Sequence, residues 1–157
     1  MKTLIRNVKL FDGTALAPRP MDVLFDESGI LAVKEAGAAP AAADAVVDGT
    51  GKTLTPGLID GHVHLGSLSM SSPTDPKGHT AAGALIAAQV QDLRRWGITA
   101  VRNCGTGVNA DLVVRDMIRD GLIDGARIVG CGRCICITGG HAWPMGIETD
   151  TRNRSEE

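Results

Sequence analysis

Residues 58 to 138 alternate short apolar segments with longer amphipathic ones, and this alternation restricts the fold more than any other feature. LIDGHVHL, ITAVRNCG and ARIVGCG have the length and apolar content of strands, and we expect the third to continue through RCICITGG. HTAAGALIAAQVQDLRRWG and NADLVVRDMIRDG have helical spacing, the second with Asn109 as N-cap and Gly121 as its end. Strand, helix, strand, helix, strand predicts βαβ units and a parallel sheet, which is an α/β fold.

The first 55 residues show a different pattern. TLIRNVKLF, MDVLF and ILAVKEAG read as short strands, and the turns FDG and DESG lie among them. We therefore expect two domains, a small β-rich segment over residues 1–55 and an α/β segment over residues 56–157. The polar tail that follows His141, AWPMGIETDTRNRSEE, is expected to contain no helix or strand.

Charge and composition argue against several classes of protein. The chain carries 16 basic and 18 acidic residues, and only 3% of its residues are aromatic, so neither nucleic acid nor an anionic membrane is an expected partner. No stretch reaches the length of a membrane span, and the N-terminal MKTLIRNVKLFDG lacks the apolar region of a secretory signal. Four cysteines without such a signal are expected to be thiols. These features predict a cytoplasmic protein.

His62 and His64 form the most informative short motif, in TPGLIDGHVHLG. Residues two apart in a strand share a face, so Asp60, His62 and His64 are expected on one side. Ile59, Val63 and Leu65 are then expected to face a helix layer. Two imidazoles at this spacing can converge on one divalent cation such as Zn²⁺, with Asp60 as a supporting carboxylate. The alternative is a pair of strand histidines that holds no ion.

Three segments resemble the metal-dependent amidohydrolase superfamily. VVDGTGKTLTPGLIDGHVHLG is similar to that family's opening, in which a short β-segment precedes PG-L-I-D-x-H-x-H on the first barrel strand. GITAVRNCG resembles the second strand, and GRCICITGGHAWPMG resembles the third strand with its following loop. In detail the chain is most similar to the imidazolonepropionase-like branch, which includes Xaa-Pro and related dipeptidases.

The resemblance implies the first three βα units of a (β/α)8 TIM barrel, preceded by part of a small β-sandwich. It implies that His62 and His64 bind one ion, in a site of one or two divalent metals, at the C-terminal mouth of the barrel. It also implies that His141 contacts the substrate carbonyl or carboxylate, the alternative being a loop histidine in solvent. The family completes its site with a lysine or glutamate from strand four, histidines from strands five and six, and an aspartate from strand eight.

Those later ligands have no counterpart, because the remaining histidines are His79 and His141. A barrel of this type takes roughly 250 residues, so we expect the chain to be a fragment. Its missing partner is then the rest of the barrel or a second copy of the chain.

The resemblance predicts hydrolysis of an amide C–N bond in a dipeptide or N-acyl amino acid by metal-activated water. The alternatives are cyclic amides or other carbonyl and phosphoryl substrates, and a non-catalytic remnant that binds a partner chain or a structural metal.

Other residues have several interpretations. Cys104, Cys131, Cys134 and Cys136 are expected as small core residues, the alternative being a structural zinc cluster. His79 is expected at the start of the first helix, away from any metal. The GKT in DGTGKTL lacks the first glycine of a Walker loop and reads as a turn. Asn103 stands where the similar proteins commonly carry Asp, so a contact near the second strand is expected to be neutral.

Overall fold

The computed structural model describes residues 1–39, 42–66, 76–141, 143 and 146–150 of the chain. The chain divides into two compact units, Met1–Pro56 and Gly57–Glu157. Residues 67–75, which follow the first histidine strand, and residues 151–157, at the end of the polar tail, lie outside the described residues. Within the described ranges, no helix has both the length and the apolar character needed to cross a membrane.

The first unit contains one small sheet. Its strands are β1 (Thr3–Leu10), β2 (Met21–Asp26), β3 (Gly29–Glu35), β4 (Ala45–Asp48) and β5 (Thr53–Leu54). The sheet order is β3-β2-β1-β4, with β5 also paired to β1; β2 lies antiparallel to β1 and β3, while β4 and β5 run parallel to β1. The strands predicted from residues 1–55 are therefore present, and their buried apolar side chains are those of Leu4, Val8, Val23 and Leu24.

A buried carboxylate fixes an irregularity in β1. The register of β1 against β2 shifts between Ile5 and Val8, and Asn7 has a left-handed φ of 55°. Asp22 on β2 accepts hydrogen bonds from the backbone N–H groups of Asn7 and Gly37, each at 2.9 Å. Burial raises the pKa of Asp22, but these backbone donors outweigh it, so its pKa lies below the ordinary value.

The second unit has the predicted alternation of strands and helices. Its elements are β6 (Leu58–Val63), α1 (Pro76–Arg95), β7 (Ile98–Asn103), α2 (Ala110–Arg119), β8 (Arg127–Gly130), β9 (Ile135–Cys136) and β10 (Ile147–Glu148). β6, β7 and β8 form a parallel sheet in that order, and the α/β class is confirmed. Both helices pack on this sheet around a core of Leu65, Ile86, Val90, Val101, Val114, Ala126 and Ile128.

Three details of the second unit differ from the prediction. The third strand does not run on through RCICITGG: β8 ends at Gly130, Gly132 has a left-handed φ of 69°, and β9 pairs in parallel with β10 instead. The tail therefore contains a short strand that its polar sequence did not predict. Asn109 precedes α2 but makes no side-chain cap, because its Oδ1 accepts a hydrogen bond from the backbone N–H of Arg133.

Candidate metal centre

β6 and the residues that follow it bring the two imidazoles of the HxH motif together. His62 lies near the end of β6 and His64 one residue beyond it. Their Nε2 atoms are 3.4 Å apart, and the rings meet edge to face with centroids 5.2 Å apart. Both side chains are exposed. The paired nitrogens therefore present a two-atom donor site at the carboxyl end of the strand.

The spacing of these nitrogens fits a tetrahedral cation. With Zn–N bonds of about 2.0–2.1 Å, a nitrogen separation of 3.4 Å corresponds to an N–Zn–N angle of about 110°. Rings splayed apart or packed against the helices would exclude such a site, and neither arrangement is found. The chemistry and separation of the two donors both suit Zn²⁺ or a similar ion.

His64 is held in the tautomer that metal binding needs. Its Nδ1 atom lies 3.1 Å from the carbonyl oxygen of Gly105, which follows β7. A carbonyl oxygen can only accept, so Nδ1 carries the proton and Nε2 of the neutral ring keeps its lone pair. This hydrogen bond both orients the ring and leaves the nitrogen beside His62 available as a ligand.

Strict alternation along β6 does not hold, and this corrects two predictions. The register against β7 shifts between Leu58 and Ile59, and again between Asp60 and Val63. Ile59 is consequently 74% exposed instead of facing the helices. Asp60 accepts a hydrogen bond from the backbone N–H of His62 at 3.1 Å, so its carboxylate supports the main chain and not the imidazole. Irregularities of this kind re-aim side chains near functional sites.

A pocket of about 730 Å³ opens beside the histidine pair. It extends across the ends of β6 and β7 to β9 and the loop after it, and His141 lies on its wall. The structure thus brings His141 to the same pocket as the two predicted metal ligands. The titratable or thiol side chains that line it are those of His62, His64, Cys104, Cys134, Cys136 and His141.

A buried polar network lies directly behind the histidines, and Asp111 is the member that sequence reasoning missed. Asp111 is fully buried in the first turn of α2, where its Oδ2 accepts from Asn103 Nδ2 at 2.9 Å and from the Gly132 N–H at 3.2 Å. Asn103 Oδ1 in turn accepts from the Leu65 N–H at 2.8 Å. One sequence signal was available: Asp111 shares the apolar face of α2 with Val114 and Ile118.

The cysteines are neither core residues nor a zinc cluster. Cys131 is exposed and the other three are only partly buried, so the core prediction is wrong. Among the described residues, no group of three or more His, Cys, Asp or Glu side chains could hold a metal ion, and this excludes the four-thiol site. Although the Cys131 residue as a whole is exposed, partial desolvation of its thiol, followed by the charge of Asp111, raises the pKa of that thiol. Burial also raises that of Cys136.

His79 lies apart from the histidine pair. It is exposed in the first turns of α1 and lines a separate cavity of about 540 Å³ together with Asn109 and Arg133. Its position agrees with the prediction of a residue near the start of the first helix.

Comparison with known proteins identifies what this arrangement resembles. A Xaa-Pro dipeptidase solved with methionine in its active site is 27% identical, with a TM-score of 0.77, over 98% of this chain and 38% of its own. A prolidase solved with N-methylphosphonate-L-proline is 27% identical, with a TM-score of 0.72, over 90% of this chain and 34% of its own. A dihydroorotase from Thermus aquaticus is 51% identical over 63 residues, which make up 40% of this chain and 13% of that protein.

These proteins belong to the amidohydrolase superfamily, so the resemblance predicted from the sequence is confirmed. They are hydrolases that act on C–N bonds, and members of the superfamily typically bind divalent metals. No family model matches the chain. The chain spans little more than a third of the length of the solved structures that it resembles.

Proposed function

This chain is similar over nearly its whole described length to C–N hydrolases of the amidohydrolase superfamily, and from that premise we propose that it forms the metal-binding N-terminal part of such an enzyme. In this proposal β6, β7 and β8 are the first three strands of a (β/α)8 barrel, and residues 1–55 contribute to a small β-sandwich. The observation that carries the proposal is the convergence of two imidazole nitrogens, 3.4 Å apart, beside a pocket at the carboxyl ends of parallel strands.

His62 and His64 are the proposed ligands of a divalent ion, with Zn²⁺ the first candidate. When bound there, such an ion supplies a Lewis acid and an acidified water molecule. The residues of the chain prepare the site for it. Gly105 fixes the tautomer of His64 through Nδ1, and Asp60 holds the backbone of His62. His141 faces the same pocket, where a ring N–H could donate to a substrate carbonyl or carboxylate oxygen and so polarise or orient it.

A dipeptide or an N-acyl amino acid is the proposed substrate class. Two solved proteins similar to this chain are a Xaa-Pro dipeptidase with bound methionine and a prolidase with a proline phosphonate. A cyclic amide is the second candidate, because the curated relative with 51% identity over 63 residues is a dihydroorotase. Both classes require attack of water on a carbonyl carbon, so the metal site is common to them.

The described residues contain two clustered imidazoles and no group of three metal-ligating side chains. We therefore propose that the remaining ligands come from a further part of the barrel or from a second copy of the chain. The same observation favours an alternative, a non-catalytic remnant that binds a partner chain. Metal stoichiometry distinguishes the two, since a complete catalytic site holds one or two ions tightly and a remnant holds at most one loosely.

Cobalt(II) titration of the metal-free chain tests the proposal, because the visible absorption of the ion reports its ligands. We expect one Co²⁺ per chain, with a spectrum typical of nitrogen and oxygen ligands and without an intense sulfur-to-cobalt charge-transfer band. His62→Ala and His64→Ala should each weaken binding, whereas His79→Ala, a matched histidine outside the pair, should not. Unchanged binding in either of the first two variants would overturn the metal assignment. Hydrolysis of Xaa-Pro dipeptides, N-acyl amino acids and dihydroorotate then separates the substrate classes.

A further inference from the structure

We propose that Asn103 and Asp111 form a positioning pair that sets the imidazole of His64 for metal binding, an inference that rests on the metal site proposed above. Neither residue contacts the pocket, and neither is a ligand. Asn103 is 1% exposed at the end of β7, and Asp111 is fully buried in the first turn of α2. Their effect on the site is indirect, through the main chain on either side of His64.

Three hydrogen bonds connect residues 63–65, at and just after the end of β6, to residues 103–105, at and just after the end of β7. The Cys104 N–H donates to the Val63 carbonyl oxygen at 2.9 Å, and the Leu65 N–H donates to Asn103 Oδ1 at 2.8 Å. The third is the bond from His64 Nδ1 to the Gly105 carbonyl oxygen. The peptide groups before and after His64 are therefore both hydrogen-bonded, and so is its ring. Of these three bonds, the one from the Leu65 N–H depends on the side chain of Asn103.

Asn103 itself is oriented by Asp111. An asparagine side chain offers one donor group and one acceptor, and both are used here: Oδ1 faces Leu65, and Nδ2 donates to Asp111 Oδ2 at 2.9 Å. The hydrogen bond to a carboxylate decides which way the amide points. Reversal would bring the amide nitrogen against the Leu65 N–H and the amide oxygen against a carboxylate oxygen.

The carboxylate of Asp111 is itself held by further contacts. It also accepts from the Gly132 N–H at 3.2 Å. A Cβ atom on Gly130 would lie 2.5 Å from Asp111 Oδ2, closer than real contacts allow, so the glycine leaves the space that the carboxylate fills. The pair is therefore fixed by α2, by the end of β8 and by the turn that follows, and it transfers that fixed position to His64.

The Asn at position 103 is matched to the Asp at position 111. An Asp at position 103 would place two carboxyl groups within 2.9 Å, an arrangement in which they either separate or share one proton, and in both cases the neutral amide donor of Asn103 is lost. An Asn at position 111 is tolerated, since its amide oxygen can take the place of Oδ2 while its nitrogen faces Thr106 Oγ1, 3.5 Å from the present Oδ1. The two substitutions together restore a donor and an acceptor between positions 103 and 111, at the cost of the bond from Gly132.

The experiment is a double-mutant cycle of Asn103→Asp and Asp111→Asn in the full chain, with Asn103→Ala added because it removes both hydrogen bonds without adding a charge. Val114→Ala is the control, since it weakens the packing of α2 and leaves the carboxylate of Asp111 in place. Three quantities are measured for each variant: the Co²⁺ dissociation constant, the tautomer of the His64 ring from its nitrogen chemical shifts without metal, and the urea midpoint.

We expect Asn103→Asp and Asn103→Ala to raise the Co²⁺ dissociation constant by about tenfold, as loss of groups that orient metal ligands does. The His64 ring should also lose its uniform Nδ1–H tautomer. Asp111→Asn should stay close to wild type, and the double variant should recover part of the loss. Val114→Ala should lower the urea midpoint without changing the tautomer or the metal affinity.

The proposed positioning role of Asn103 and Asp111 is overturned if Asn103→Ala and Asn103→Asp both fold and keep the wild-type tautomer of His64. It is also overturned if Val114→Ala causes the same loss of tautomer and of Co²⁺ affinity. Failure of the proposed metal site can be distinguished from failure of this positioning role. In the first case the wild-type chain would bind no Co²⁺, but the tautomer of metal-free His64 would still show whether Asn103 positions the ring. If Asn103→Asp does not fold, Asn103→Ala and the double variant decide the outcome.

Discussion

Nδ1 of His64 lies 3.1 Å from the carbonyl oxygen of Gly105, a residue 41 positions later in the chain. This contact joins the ends of β6 and β7 and fixes which imidazole nitrogen is available beside His62. The proposed metal site therefore depends on two strands, although both proposed ligands come from the β6 end.

Gly105→Ala is expected to weaken metal binding as well as stability. Gly105 has a φ of 132°, which side chains rarely adopt, and a Cβ there would lie 3.2 Å from Cys134 Cβ. The substitution should cost about 1–3 kcal/mol of unfolding free energy and displace the carbonyl that His64 uses. Urea unfolding and Co²⁺ titration measure the two effects. Gly121→Ala is the control: its φ of 72° also disfavours a side chain, in a turn away from the histidines, so a similar loss of affinity there would contradict the assignment.

Gly130→Ala is expected to disturb the network around Asp111. The new methyl group would lie 2.5 Å from Asp111 Oδ2. Such overpacking typically costs about 1–3 kcal/mol, measured by urea unfolding. Gly61→Ala, between Asp60 and His62, is the matched control because nothing lies within 4 Å of its Cβ. Equal destabilisation by the two substitutions would show that close packing against Asp111 is not the cause.

Gly83→Ala is expected to stabilise the second unit. Gly83 lies within α1, and no atom lies within 4 Å of the Cβ that alanine would add. Alanine is favoured over glycine inside a helix by about 0.5–1 kcal/mol. The thermal and urea midpoints should both rise, with no change in Co²⁺ affinity. A fall in either midpoint would mean that the helix interior does not tolerate the methyl group.

Asp22→Asn is expected to reduce both the stability of the first unit and its dependence on pH. Burial raises the pKa of Asp22, but the backbone donors at Asn7 and Gly37 outweigh it and the pKa is lowered overall. The carboxylate therefore stabilises the folded state above its unfolded pKa of about 3.9. That stabilisation is lost as pH falls through the lower folded value.

In the asparagine variant an amide NH2 replaces one oxygen and faces a backbone N–H, which costs about 1–3 kcal/mol at neutral pH. The difference in unfolding free energy between wild type and variant, from urea curves at pH 7 down to pH 3, should therefore shrink as the pH falls. A difference that stays constant with pH would contradict the role of the ionised carboxylate.

Features that depend only on the spacing of neighbouring residues were predicted correctly from the sequence. Apolar periodicity gave the right order of β6, α1, β7, α2 and β8, because a period of two or 3.6 residues is a property of neighbouring residues. The HxH motif identified two residues whose ring nitrogens do converge, since that convergence needs only one strand end. The extension of the third strand failed at Gly130, where a left-handed turn at Gly132 follows and no periodic signal marks the break.

The α/β alternation, the family resemblance and the choice of the two paired histidines were therefore predictable from the amino-acid sequence. The contacts that hold those histidines depend on the packing of distant segments. Asp60 supports a peptide instead of a ring because the register of β6 shifts by one residue. The buried carboxylate of Asp111 is satisfied by donors at Asn103 and Gly132, which meet it only when β7, α2 and the turn after β8 have packed together. These hydrogen bonds join residues from different segments of the chain, so no local sequence pattern predicts them.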